Sequence, residues 1–453
     1  QVLLEGTCLP THTVQVNGSS EGVYYPAFTR WSYTATLSAR DNLFVVTAGT
    51  EVRTITIYWD RFHGGVLTED TTIPGSTYPY VITDDIFVPA GITLTIEPGA
   101  TLAFQPGRRI IVKGRLLAQG TSARPITFTR EMSGSWQGIV FRGSMEHSTL
   151  VHTVVEYAGP ETSSMMAAIT AFSSAFLVER STIRYGDGAG LFLQNSTVQV
   201  VGNTVHDVWD TGIGIRGGNV TVRDNHIYRL AGVPGDGVAL DAVAEPAHVE
   251  GNWIHEVAGS CVRIGQAEAL VERNMLYRCG GDGLSVGAGA LVTATNNLIY
   301  ACHNGAGVVV RDGSEASITH HTIVSNNAGI LVYGESTATV LNSILWDNLE
   351  SVEEDASASV TVTYSDVSLS GTLQIGEGNI NDDPRFRAPE RGDYRLREDS
   401  PCIDRGSPVG AVSEDIRGIS RPHGEGYDMG AYEFFEYFSC YMPLVMRSYQ
   451  GGE

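Results

Sequence analysis

The chain has 453 residues, 52 of them glycine, with 18% charged residues and a formal net charge of −22. That length is too great for one compact core and suits two or three domains or a single elongated one. Lys113 is the only lysine, so nucleic acid and anionic membrane surfaces, which need basic patches, are excluded as partners. The acidic excess suits cations, Ca²⁺ among them, or neutral and basic ligands. No run approaches the ~18 apolar residues of a membrane span. The chain starts with Gln1 and shows no signal peptide, which reads as a processed or trimmed chain.

Residues 1–60 carry short alternating runs, "THTVQVNG", "WSYTATLS", "NLFVVTAG" and "VRTITIYWD", separated by Gly, Asn and Ser. Such alternation predicts a small all-β domain. The phrases resemble the Ig-like modules of bacterial surface and carbohydrate-active proteins, so the expected fold there is an Ig-like β-sandwich. Residues 61–79 read as a linker. From Tyr80 the texture changes: "VPAGITLTIEPGA" and the later "LLAQGT" and "PITFT" resemble the opening coils of bacterial right-handed parallel β-helix proteins. The resemblance implies an all-β solenoid from residue 80 to about 378.

A repeat gives the same fold without the resemblance. The polar residue two places before the apolar one in "NxI" falls at Ser181, Asn203, Asn225, Asn252, Asn274, Asn297, His321, Asn342 and Ser365. Stacked at one bend of each coil, such residues predict a hydrogen-bonded ladder that satisfies buried turn backbone. A second phrase keeps the beat: "AGLFLQ", "TGIGIR", "DGVALD", "SCVRIG", "DGLSVG", "AGVVVR", "AGILVY". Its alternation points Leu191/Leu193, Ile213/Ile215, Val238/Leu240, Val262/Ile264, Leu284/Val286, Val308/Val310 and Ile330/Val332 inward. About thirteen coils at ~4.8 Å make a rod of roughly 60 Å.

Residues 379–453 form the expected closing segment. "DDPRF", "GDYRLREDSPCIDRGSP" and "EDIRGISRPHGEGYDMGAYE" resemble the closing segment of secreted, surface-displayed β-helix proteins. The aromatic run from Tyr432 to Phe438 is expected to cap the open end of the helix. Cys279 and Cys302 share one inward slot on adjacent coils, as stacked buried thiols or as a disulfide. Cys402 and Cys440 are the expected disulfide of the closing end, while Cys8 pairs elsewhere or stays free. Neither CxxC nor a Cys/His spacing suggests a metal site.

Two constellations carry possible chemistry. Asp236, Asp241, Arg263 and Asp282 fall on the outward side of the "GxVxV" strands over three successive coils. The resembled fold's pectate lyases and polygalacturonase-type hydrolases act on this face, with acids holding Ca²⁺, an Arg or Lys taking a proton, or paired aspartates serving as acid and base. Asp236 and Asp282 would stand ~9.6 Å apart, near the upper limit of an inverting pair. Asp236-Gly237 and Asp282-Gly283 are equally ordinary turn dipeptides, and Ala239, Gly265, Ser285, Gly287, Val309 and Leu331 leave the rest of that face bland. The second constellation is an outward ring column, His206, Tyr228, His255, Tyr277 and Tyr300. It reads as a sugar platform, a shield for the sheet or a contact surface.

No GxSxG, HExxH or P-loop is present. Regular coils without long cleft-forming loops lead to the expectation of a secreted, non-catalytic structural or adhesive protein of the cell surface or matrix, able to self-associate. The alternatives are a polysaccharide lyase or glycoside hydrolase working on the outer strand face, and a glycan-binding module.

Overall fold

The structure is a computed structural model that describes residues 2–36, 41–58, 62–159, 167–243, 246–368 and 376–435. Residues 2–58 hold two small antiparallel sheets. One pairs Val2–Thr7 and Val23–Ala27 with Arg30–Ala35, and the other pairs Val14–Val16 and Glu51–Tyr58 with Asp41–Ala48. Leu4, Val14, Val16, Trp31, Ala35, Phe44 and Val46 form their shared core.

The rest is an all-β parallel solenoid of about 13 turns. A representative coil has three strands, Val238–Asp241, Ala247–Glu250 and Trp253–Val257. They lie on what we name the first, second and third faces. Each pairs in parallel with its equivalent one coil away, as Val238 with Val262 and Ile254 with Leu276. The predicted inward pairs all point into one continuous core, where each is at most 2% exposed. Residues 61–79 are not a simple linker. Gly65–Val66 and Thr71–Ile73 pair with Ile86–Val88 and Thr93–Ile96, because their alternation already matches the first rung.

The amide ladder is built as expected. Asn225 Oδ1 accepts from the Asn203 backbone N–H at 2.9 Å and from its Nδ2 at 3.0 Å, while Asn225 Nδ2 donates to the Val200 carbonyl at 2.8 Å. The pattern repeats through Asn252, Asn274 and Asn297, and His321 Nε2 takes the next Nδ2 at 3.0 Å. One expected rung is displaced. Ser343, not Asn342, receives the His321 N–H and passes the ladder to Ser365. Asn342 sits one residue earlier, at a positive φ of 52°, and its carboxamide bonds the Ser407 backbone in both directions.

The closing segment lies along the third face. Tyr394, Ala431 and Tyr432 pack on Leu298 and Val324, and the Ala431 N–H donates to Thr322 Oγ1 at 2.9 Å. Tyr432 therefore covers the side wall instead of capping the open end, because the outward residues there, Leu298 and Val324, are apolar. Residues 436–438 of the same run lie outside the described residues. At the centre of this contact the Arg421–Glu433 ion pair is fully buried. Arg421 also donates to Asn296 Oδ1 and to the Gly430 carbonyl.

The cysteines depart from expectation. Cys279 is bonded to Cys261, whose Cα is 5.6 Å away, and Cys302 is a free buried thiol. Cys261 sits on the turn leading into the next first-face strand, close enough to reach a slot that Cys302 occupies only one coil later. Cys402 is likewise a free buried thiol, donating to Asp366 Oδ2 at 3.1 Å. Its expected partner Cys440 lies outside the described residues.

Candidate functional site

The first face carries a groove of about 230 Å³. Strand register explains how it arises. On successive rungs the outward residues are Phe192, Gly214, Ala239 and Arg263. The two small residues leave a trough between a ring and a guanidinium. Two positions further along the strands, Arg216 and Asp241 stand on adjacent rungs and form one wall. Asp210, Thr211 and Pro234, from the turns that enter the first-face strands, form the other. Four successive coils thus supply two carboxylates, two guanidinium groups and a ring to one depression.

The wall charges are held unequally. Arg216 Nη2 is 3.3 Å from Asp241 Oδ2, and both side chains are more than a third exposed, so this pair can exchange partners with a ligand. Arg263 is fixed more firmly, with its Nε donating to Asp236 Oδ2 at 2.7 Å. The Asp236 side chain is 3% exposed, and its other oxygen accepts the Ser260 N–H at 2.9 Å. A buried carboxylate paired this way orients its partner and is itself closed to substrate. Asp210 Oδ1 accepts the Thr211 N–H at 2.7 Å, which anchors the turn at the rim.

The four acids and bases expected from the sequence therefore separate. Asp241 and Arg263 line the groove, Asp236 positions Arg263 from beneath, and Asp282 lies outside the lining. Asp236 and Asp282 do not flank a common space as an acid/base pair. Ser260 stands between them, donating its N–H to Asp236 and accepting the Asp282 N–H at 3.3 Å. Asp282 Oδ1 also accepts the Ala306 N–H at 3.1 Å, and burial raises its pKa against these stabilising bonds. Both aspartates are turn anchors. Sequence reasoning did not single out Phe192, Asp210, Gly214 or Pro234 as parts of a site. The available signal was the size alternation Phe, Gly, Ala, Arg on consecutive rungs.

The ring column is present and continuous. Centroids of His206, Tyr228, His255, Tyr277 and Tyr300 follow at 4.9, 5.3, 4.8 and 4.7 Å, with planes within 10° of parallel. The stacking decides which parts of the rings a ligand could reach. Each interior ring spends both faces on its neighbours, so only edges reach solvent, and Tyr300 is covered by Tyr394 at 5.0 Å. Beside the column, His226 Nε2 lies 2.9 Å from His255 Nε2. Burial, then the neighbouring imidazoles of His255 and His206, push His226 down to about 4. Burial lowers His255 as well. The column is a continuous, mutually stacked row of rings along the third face. Among the described residues, no group of three or more His, Cys, Asp or Glu side chains is arranged to hold a metal ion.

A family model described as the right handed beta helix region matches residues 129–265 and 236–378. The chain belongs to this right-handed β-helix family. The fold is shared with the periplasmic alginate epimerase AlgG, at 14% identity, a TM-score of 0.50, and coverage of 65% of this chain and 82% of that one. The pectate lyase Pel9A aligns at 15% identity and a TM-score of 0.43, over 76% of this chain and 88% of that chain. Protein bark beetle of Drosophila melanogaster is 29% identical over 176 residues, which are 39% of this β-helix chain and 5% of that protein. Among the described residues no helix is long and apolar enough to cross a membrane.

Proposed function

We propose that this β-helix protein is secreted and holds a polysaccharide across the first-face groove, with uronate-containing chains as its ligands. The observation that carries the reading is the trough at Gly214 and Ala239, walled by Arg216, Asp241, Asp210 and Arg263 with Phe192 at one end. Planar guanidinium and carboxylate groups bind carboxylates and vicinal hydroxyls through paired hydrogen bonds, and a ring such as Phe192 packs against sugar C–H groups. A sugar carboxylate arriving at Arg216 competes with Asp241 for the same donors and releases the Asp241 carboxylate. A carboxylate freed beside a uronate C5–H is placed to act as the general base of a lyase or epimerase. The shared fold with an alginate epimerase agrees with this choice over the non-catalytic structural rod. The finer parts of the reading are an Ig-like character for residues 2–58, supported by their two sheets and common core, and self-association through that module.

Native gels containing alginate or polygalacturonate test the reading. Wild-type protein is expected to be retarded, and Arg216→Ala to lose about 10-fold in affinity, as removal of one charged hydrogen-bonding partner does. The same polymers, with and without Ca²⁺, are followed for the ultraviolet absorbance of unsaturated uronate and by NMR for epimerisation. Asp241→Asn is expected to abolish whichever turnover appears. Unretarded migration in every uronate polymer would contradict the reading.

A further inference from the structure

A second depression on the solenoid is larger than the groove. It is a cleft of about 420 Å³ at the corner where the third face turns into the first. Tyr157, Tyr185 and Trp209 come from successive turns at this corner. Tyr157 and Tyr185 stack at 5.3 Å, and the indole of Trp209 is 64% exposed. An exposed indole beside two stacked phenol rings makes an apolar surface that a sugar ring can cover, and the turn that carries it is fixed through its backbone. The Trp209 backbone N–H donates to the Gly186 carbonyl at 3.0 Å. The backbone of Gly232 presses on the Trp209 carbonyl so closely that a Cβ at that position would lie 1.5 Å from the oxygen.

The polar groups of the cleft are fixed in the same way. Arg229 is forked onto Asp207, Nε to Oδ1 at 2.8 Å and Nη2 to Oδ2 at 2.5 Å. Arg130 lies flat over the Tyr157 ring at 4.0 Å, and the Ser135 hydroxyl donates to Asp187. Arg229 is committed to Asp207, and Asp187 and Asp207 balance the two guanidinium groups of the lining, so the cleft offers an anion no net positive charge. What is offered is a preorganised aromatic surface beside carboxylate acceptors for hydroxyl groups.

We infer that this corner cleft is a second saccharide site, distinct from the groove and selective for neutral sugars, with Trp209 as its platform. A pyranose ring stacked on the indole places its equatorial hydroxyls toward Asp187 and Asp207. Preorganised aromatic and polar groups reduce the ordering cost of binding. The groove differs in that Arg216 makes one long contact to Asp241 and can be recruited by a uronate.

The full chain, its Trp209→Ala variant and its Arg216→Ala variant are compared in native gels containing galactomannan, glucomannan or hydroxyethylcellulose. Affinities for mannohexaose and cellohexaose are measured by calorimetry. At least one neutral polymer is expected to retard the wild type and Arg216→Ala equally, while Trp209→Ala loses about 10-fold or more. Retardation by uronate polymers is expected to survive Trp209→Ala. The inference is overturned if no neutral polymer retards the wild type, if Trp209→Ala binds it as well as wild type does, or if Arg216→Ala abolishes both kinds of binding. Failure of the uronate arm alone would count against the groove and leave the corner site standing.

Discussion

His321 occupies a slot that five successive coils fill with asparagine, and the substitution has a chemical consequence. Its ring must stay neutral to accept from Asn297 at Nε2, and burial pushes its pKa down to about 4 from 6.5. The folded state therefore prefers the uncharged form. That preference leaves stability intact above about pH 6.5 and removes it progressively as the pH falls toward 4. His321→Asn restores a carboxamide and is expected to lose less stability than wild type between pH 6.5 and 4, by roughly 3 kcal/mol, measured by urea unfolding at each pH. Asp366 behaves oppositely. Burial raises it to about 7 from 3.8, so the protonated form is the one the fold favours. Its contribution is complete below about pH 4 and disappears as the pH rises through 7. Asp366→Asn keeps an acceptor for the Asp382 N–H and is expected to raise the melting temperature at pH 8 while leaving it nearly unchanged at pH 4.

At the scale of the element, the coil depends on its ladder. Asn252 Oδ1 is the acceptor for two donors of Asn225, and its Nδ2 satisfies the Val222 carbonyl. Asn252→Ala strands all three groups inside the solenoid and is expected to cost about 3 kcal/mol or more, against much less for Asn379→Ala at the last rung, by the same unfolding measurement. This part of the fold was legible because the coil repeats: alternation sets which residues go in, and a beat of 22 to 24 residues, broken by the 27-residue step from Asn225 to Asn252, sets the ladder. Even the displaced rung was visible. The step from His321 to Asn342 is 21 residues, whereas Ser343 restores 22. The groove was not legible, since it consists of side chains that Gly214 and Ala239 lack, and a row of small residues reads as blandness until its neighbours are placed. The ring column was legible as a column, but the packing of its rings was not. Its residues could be counted, yet only the parallel planes show that their faces are already occupied.

For the whole molecule, the closing segment acts as a clasp on the third face, reaching back over 125 residues from Arg421 to Asn296. Contacts of such separation have no period, which is why the sequence suggested an end cap. Arg421 holds the clasp through its fully buried pair with Glu433, and Asp428 beside it is raised to about 7 by burial and by Glu433. Arg421→Met leaves buried carboxylates without their cation, a change of the kind that costs about 3–5 kcal/mol. The expected result is release of residues 379–435 to limited proteolysis, while the coils before residue 270 stay resistant. On coils that precede those the clasp covers, the groove and the corner cleft flank the turn at Trp209 and Asp210.

The central claim is that the groove on the first face is where a polysaccharide sits, and filling the groove without touching its charges tests it most directly. A side chain can be added at Gly214 without strain, since a Cβ there meets only ordinary contacts, Phe192 Cδ2 at 3.6 Å being the nearest. Calorimetric titration of wild type and Gly214→Leu with hexamers of galacturonate and mannuronate is the measurement. The account predicts a loss of at least 10-fold in affinity with an unchanged melting temperature. Equal binding by the filled variant would contradict it.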